Sequence, residues 1–102
     1  MRLHELSDKA KEDINEITDY TVERYGVNQM FQYIQRLETA ADELADGYGH
    51  YKQYPDVHPL LRAKHCQKHY IFGVLRGNKP MLVIAIFHER MNLIEQVKHR
   101  LP

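Results

Sequence analysis

Acid–base chemistry near neutral pH needs groups that titrate there, and histidine is the side chain whose ordinary pKa lies in that range. Five of the seven histidines of this chain, His58, His65, His69, His88 and His99, stand in its second half. With Arg62, the first four have the residue types of an acid–base site with a cation beside it. The densest piece is His88-Glu89-Arg90, which follows directly on Met81–Phe87, seven apolar residues in a row. Val83, Ile84 and Ile86 are β-branched, which favours a strand over a helix. Apolar residues on both parities imply that both faces are covered, so the run is expected as a central strand. Polar groups at the end of such a strand are held by rigid backbone at the edge of the core, and function is expected there or nearby.

Each of these residues also has a plain structural reading. Arg62 is either a contact for a target or an acidic partner, or a surface strand arginine. His69 is either a general base or an exposed edge-strand histidine. His88 either takes part in chemistry or holds the strand end to a terminal helix by a hydrogen bond. Arg90 either contacts a partner or pairs with Glu89 or an acidic helix, and Met91 is expected in the core. Tyr48, Tyr51 and Tyr54 either stack on nucleic-acid bases or pack their own loop. Cys66 is the single cysteine, so no intrachain disulfide is available and a reducing, cytoplasmic setting is expected. Zinc-type Cys/His spacing is missing, and neither metal nor cofactor is expected.

The elements that must position these groups follow from periodicity. Met1–Leu6 alternates weakly and reads as a short edge strand. Ser7 is placed to cap a helix over Asp8–Tyr25, whose Ala10, Ile14, Ile17, Thr21 and Tyr25 recur at steps of three and four. Glu12, Asp13, Glu16, Asp19 and Glu23 make its acidic outer face, and Gly26 is placed to end it. Phe31, Ile34, Leu37, Ala41 and Leu44 form the stripe of a second helix, Asn28–Asp46, so the pair reads as an antiparallel hairpin joined by a short link. Tyr48–Pro59 reads as a loop. Leu60–His65 and Lys68–Leu75 read as strands around a turn at Cys66-Gln67. Gly77-Asn78 is a hairpin turn leading through Pro80 into the central strand. Leu93–Leu101 reads as a short terminal helix.

The predicted order is a strand, two helices, three strands and a helix. This is a small α+β domain over residues 1–102: an N-terminal strand and a helical hairpin packed on a three-stranded antiparallel meander, with a short C-terminal helix. At this length folding buries roughly two-thirds of the unfolded chain's surface, enough for one modest core. No stretch approaches the ~20 apolar residues of a membrane span. The formal net charge is zero but unevenly placed: 5 Lys/Arg and 11 Asp/Glu up to His50, then 9 and 3 from Tyr51 onward. A basic half fits an acidic partner, nucleic acid or protein; a solvated acidic helix face explains the same asymmetry.

Four stretches resemble the RelE/ParE superfamily of toxins from bacterial toxin–antitoxin pairs. These are LSDKAKEDINEITDYTVERYG at the opening helix, YIQRLETAADELAD in the second helix, HPLLRAKHCQKHYIFGVLRG across the first two meander strands, and VIAIFHERMNL at the close. The last is most similar to the ParE-type ending. The resemblance implies a cytoplasmic toxin, neutralised by a cognate antitoxin whose disordered segment folds over the toxin's groove.

The ParE branch poisons DNA gyrase by binding, without hydrolytic activity. The RelE branch cleaves mRNA on the ribosome, which requires a base for the ribose 2′-OH, a cation for the phosphate and an acid for the leaving oxygen. RelE's arginine in the second meander strand is matched here by His69. Its C-terminal basic-tyrosine cluster is replaced by His88-Glu89-Arg90-Met91. Those departures favour a ParE-type gyrase inhibitor, with Arg62, His69, Arg90, Lys98 and Arg100 as the candidate contacts to target or antitoxin. The alternatives are a ribosome-dependent endoribonuclease working through His69, His88 and Arg62, or an inactive antitoxin-binding remnant.

Overall fold

The computed structural model describes residues 3–102. β1 (His4–Leu6) leads through Ser7 into α1 (Asp8–Tyr25). The Ser7 hydroxyl accepts the Ala10 N–H at 3.1 Å, the expected cap. The first two residues of the expected Met1–Leu6 strand lie outside the described residues. α2 (Val27–Asp46) follows α1 after one residue, Gly26. A link that short needs an abrupt change of direction, and Gly26 supplies it at φ 89°, a region that side-chain-bearing residues rarely adopt.

The rest of the chain is β2 (Lys52–Gln53), β3 (Leu61–Cys66), β4 (His69–Arg76), β5 (Lys79–His88) and α3 (Leu93–Lys98). The strands form one five-stranded sheet in the order β1-β5-β4-β3-β2. The expected antiparallel meander is present as β3–β4–β5, and Met81–Phe87 falls within an inner strand. β1 adds to β5 in parallel, His4 opposite Met81. The sheet is therefore mixed and wider than the three strands expected. The fifth strand, β2, lies inside the segment expected to be a loop and pairs only Lys52 with Ala63 and Gln53 with Arg62. The β3–β4 turn falls on Gln67-Lys68, one residue later than expected, with Gln67 at φ 60°.

Apolar residues of both parities in β5 do serve both faces. Met81, Val83 and Ile86 join Ala10, Ile17, Leu37, Ala41 and Leu44 beneath the helical hairpin. Ile84, Ala85 and Phe87 join Leu61, Phe72, Val74 and Val97 on the opposite face, under α3 and the Tyr54–Val57 segment. The neighbours Ile84 and Ala85 share a face because β5 is bulged there. Phe72 pairs with Ala85, yet Gly73 pairs with Val83, leaving Ile84 as the extra residue. Gly73 also makes room: a Cβ on it would lie 2.5 Å from the Met81 sulfur. The layers are joined by apolar burial worth roughly 1.5–3 kcal/mol per large side chain.

Asp13 departs from its expected place on the outer face of α1. Its carboxylate accepts the Ile86 N–H at 3.0 Å and both terminal nitrogens of Arg100 at 2.9 Å. The Arg100 guanidinium also donates to the Ile84 carbonyl at 2.9 Å and lies 4.8 Å from the centre of the Phe87 ring. Hydrogen bonding to Asp13 raises the Arg100 pKa further above its ordinary value. The pair is only 12% and 19% exposed, so it is shielded from solvent screening. Replacing Asp13 with Ala would strand both the Ile86 amide and a largely buried guanidinium. We expect Asp13→Ala to lower unfolding stability by about 2–4 kcal/mol, read from the shift of the urea midpoint.

Candidate functional site

Two histidines meet where β3 and β5 end and β4 begins, with a third on the opposite face of the sheet. Cys66 opposes His69, and His69 opposes His88, so the cross-strand register places both imidazoles on the helix side of the sheet. Their rings are edge to face with centroids 5.3 Å apart. Tyr33 reaches down from α2 to place its hydroxyl 2.5 Å from His69 Nδ1, and the Tyr33 oxygen accepts the Lys68 N–H at 3.4 Å. His65 lies on the other face, stacked on Tyr70 with ring centres 4.6 Å apart, and its Nε2 pairs with Glu89 at 2.9 Å.

The expected edge-strand histidine is thus a half-buried one on an inner strand, because β5 and β3 flank β4. Burial, reinforced by the nearby His88, lowers the His69 pKa to about 4. His69 is neutral at physiological pH, and its Nδ1 shares a hydrogen bond with the Tyr33 hydroxyl. Burial in turn raises the Tyr33 pKa. A neutral imidazole already facing a hydroxyl, with a pKa far below seven, is a weak general base.

His88 Nδ1 accepts the Arg90 N–H at 3.2 Å. That bond holds the turn after β5, rather than joining the strand to α3 as expected. Glu89 is fixed twice, by its N–H on the Lys68 carbonyl at 2.8 Å and by its side chain on His65. Arg90 projects from this corner, exposed and with no ion pair among the described residues. Met91 is exposed as well, 40%, instead of packing in the core. The turn at Glu89-Arg90 has already carried the chain off the sheet before it is reached.

The remaining expected residues lie elsewhere. Arg62 stands four residues from Cys66 along β3, which at ~3.3 Å per residue puts it about 13 Å from the His69 row. Its guanidinium donates to the Leu44 carbonyl at 2.9 Å and lies 4.7 Å from the Tyr51 ring centre. His58 is at that same far end, where its Nδ1 accepts the Leu60 N–H. Lys98 is exposed beside Glu95, and Arg100 is committed to Asp13. Tyr54 packs towards Phe72 and Tyr51 beneath Arg62, while Tyr48 is exposed. Burial raises the Cys66 pKa, and its thiol faces the Arg36 carbonyl. Among the described residues no group of three or more His, Cys, Asp or Glu is placed to hold a metal ion. The histidine corner therefore assembles Tyr33, His65, His69, His88, Glu89 and Arg90, but not Arg62 or His58.

Sequence reasoning missed Tyr33. Its signal was only that it adjoins Ile34 on the apolar side of α2, one step off the stripe.

The helical hairpin packed on an antiparallel meander is the architecture expected from the sequence, here widened to a mixed five-stranded sheet. Comparison with known proteins agrees. Residues 5–93 match the family described as ParE toxin of type II toxin-antitoxin system, parDE. A Toxin ParE from Escherichia coli is 38% identical over 101 residues, covering 99% of this chain and 98% of that one. A Toxin ParE1 from Mycobacterium tuberculosis is 30% identical over 88 residues, covering 86% and 90%. A Toxin ParE1 from Caulobacter vibrioides is 28% identical over 94 residues, covering 90% and 94%. The chain belongs to the ParE toxin family of type II toxin–antitoxin systems. Among the described residues no helix is long and apolar enough to cross a membrane.

The buried imidazole makes a pH prediction. His69 binds its proton less readily folded than unfolded, where its pKa is the ordinary 6.5. The unfolded chain then holds more protons between those values, so stability is full above pH 6.5 and falls as pH drops towards 4. We expect the His69 ring resonances to titrate near pH 4 in NMR. We expect a His69→Gln variant to lose less stability than the parent between neutral pH and that point.

Proposed function

We propose that this chain inhibits DNA gyrase by binding it, and that a cognate antitoxin neutralises it. The observation that carries this reading is the state of the corner. His69 is neutral and engaged by Tyr33, and Arg62, the cation expected in an acid–base set with His69 and His88, is held about 13 Å away by the Leu44 carbonyl. What remains exposed is a rigidly held projection, Arg90 and Met91, suited to contact rather than to proton transfer. Membership of the ParE family supports the same reading. The cytoplasm, where gyrase acts, is the corresponding place of action.

Purified chain should inhibit supercoiling by gyrase and trap cleaved DNA at near-stoichiometric amounts. Arg90→Ala should weaken that inhibition about fivefold or more without altering the thermal midpoint, since the side chain is exposed. Absence of inhibition at excess toxin would sink the gyrase reading. The clustering of His65, His69 and His88 favours a second reading, ribosome-dependent mRNA cleavage. That reading requires A-site cutting that disappears in His69→Ala and His88→Ala.

For the antitoxin, the exposed apolar residues of the helical hairpin are the proposed docking surface. Val27 and Phe31 are one turn apart on α2, 52% and 63% exposed, with Tyr25 next to the link at 59%. Phe31→Glu should leave folding intact and weaken the complex with the co-encoded antitoxin by tenfold or more, roughly 1.4 kcal/mol, measured by calorimetry.

A further inference from the structure

A second surface lies beside the C-terminal half of β5. β1 pairs with β5 only as far as Leu6 opposite Val83, and the Ser7 N–H then closes on the Val83 carbonyl at 2.9 Å. β5 continues to His88. Ala85 and Phe87 face β4, so the backbone groups of Ile84, Ile86 and His88 face the side that β1 has left. Arg100 takes the Ile84 carbonyl and Asp13 takes the Ile86 N–H. The next two groups in sequence, the Ile86 carbonyl and the His88 N–H, have no protein partner among the described residues. They border a cleft of about 330 Å³, with α1 on one side and Met91 and Gln96 on the other.

We propose that this slot receives an extended peptide segment of a partner protein carrying a lysine or arginine. An acceptor and a donor two residues apart on a strand edge form the pattern another strand completes. A helix has its own backbone bonded internally and measures about 10–12 Å across, so it offers that edge nothing. The charge of the occupant follows from the α1 wall. Asp13 is neutralised by Arg100, and Lys9 lies 3.9 Å from Glu12, but Glu16 has no ion pair among the described residues. Asp19 and Glu23 continue the acidic face beyond it. An acidic segment would be repelled, and the slot is separate from the exposed apolar residues of the hairpin proposed for the antitoxin. The inference rests on the reading that the chain acts by binding, and assigns a binding mode to one face.

The test titrates nitrogen-labelled chain with the blocked peptide Val-Thr-Val-Arg-Val-Thr and with its counterpart in which Glu replaces Arg. The Arg peptide should shift the His88 amide resonance, slow its hydrogen exchange, and bind at least about fivefold more tightly than the Glu peptide. Glu16→Lys, at an exposed position, should abolish or reverse that preference. An unperturbed His88 amide with both peptides overturns the proposal, as does equal affinity or a preference that survives Glu16→Lys. Gyrase inhibition is measured separately. Binding of the Arg peptide by a chain that spares gyrase would leave the slot standing while the target assignment falls.

Discussion

The constraint on which the structure depends is the backbone of β5. It is an inner strand that contributes to both cores, yet its parallel neighbour covers only Met81–Val83. Beyond that point the strand would present unpaired amides and carbonyls at the edge of an apolar core, where each unmet group is expensive. Asp13 and Arg100 supply the missing bonds with side chains. One carboxylate and one guanidinium act as the acceptor and donor of an absent strand, and their mutual charge keeps both in place. The pair also ties α1 to the C-terminal segment, so helix, sheet and tail are fixed by one contact. Arg100 therefore serves the fold, although its place in the basic end of the expected Leu93–Leu101 helix, which in fact stops at Lys98, made it a candidate for partner contact.

The same strand carries the corner. Because β5 is held on one side by β4 and on the other by Asp13 and Arg100, its end at His88 is well positioned. Everything immediately after it is turned outward. The His69–His88 contact and the Tyr33 hydroxyl fill the space on the helix side, while the His65–Glu89 pair ties β3 to the residue following β5 on the other. These bonds use polar groups that the sequence offers as catalytic and commit them to local structure. His65 and Glu89 are both substantially exposed, so their pair orders the turn more than it stabilises the fold.

The helices, the hairpin turn at Gly77-Asn78 and the central strand were legible because each rests on a repeated or local signal: helical spacing, two residues tolerant of positive φ, a run of β-branched residues. β2 was not, since two exposed polar residues paired over two positions carry no periodicity. His69 was misjudged although the expected meander already puts its strand between two others; what spacing did not reveal is that Tyr33 of α2 covers that strand end. Asp13 was readable in principle. It falls between Ala10 and Ile17 at helical spacing, on the core-facing stripe, and a carboxylate there demands a buried partner. Reading it as one more residue of an acidic face hid that demand, and with it the role of Arg100. Met91 was assigned by hydrophobicity alone, which cannot anticipate a turn that points a methionine to solvent.

Rigidity and exposure are divided along β5 in a way that bears on function. Towards its start, the strand is sandwiched and fully paired. Towards its end, pairing gives way to side-chain caps, then to a slot, then to an exposed arginine and methionine. A catalytic centre for phosphodiester cleavage would need a group poised near neutrality and a cation within reach of the same atom. Here burial drives the best-placed imidazole away from neutrality, and the β3 register carries Arg62 to the far end of the sheet. A binding protein needs neither. It needs groups that protrude from a frame too stiff to lose much freedom on docking. The end of β5 meets that requirement because the strand's own backbone, secured by Asp13 and Arg100, sets where Arg90 stands.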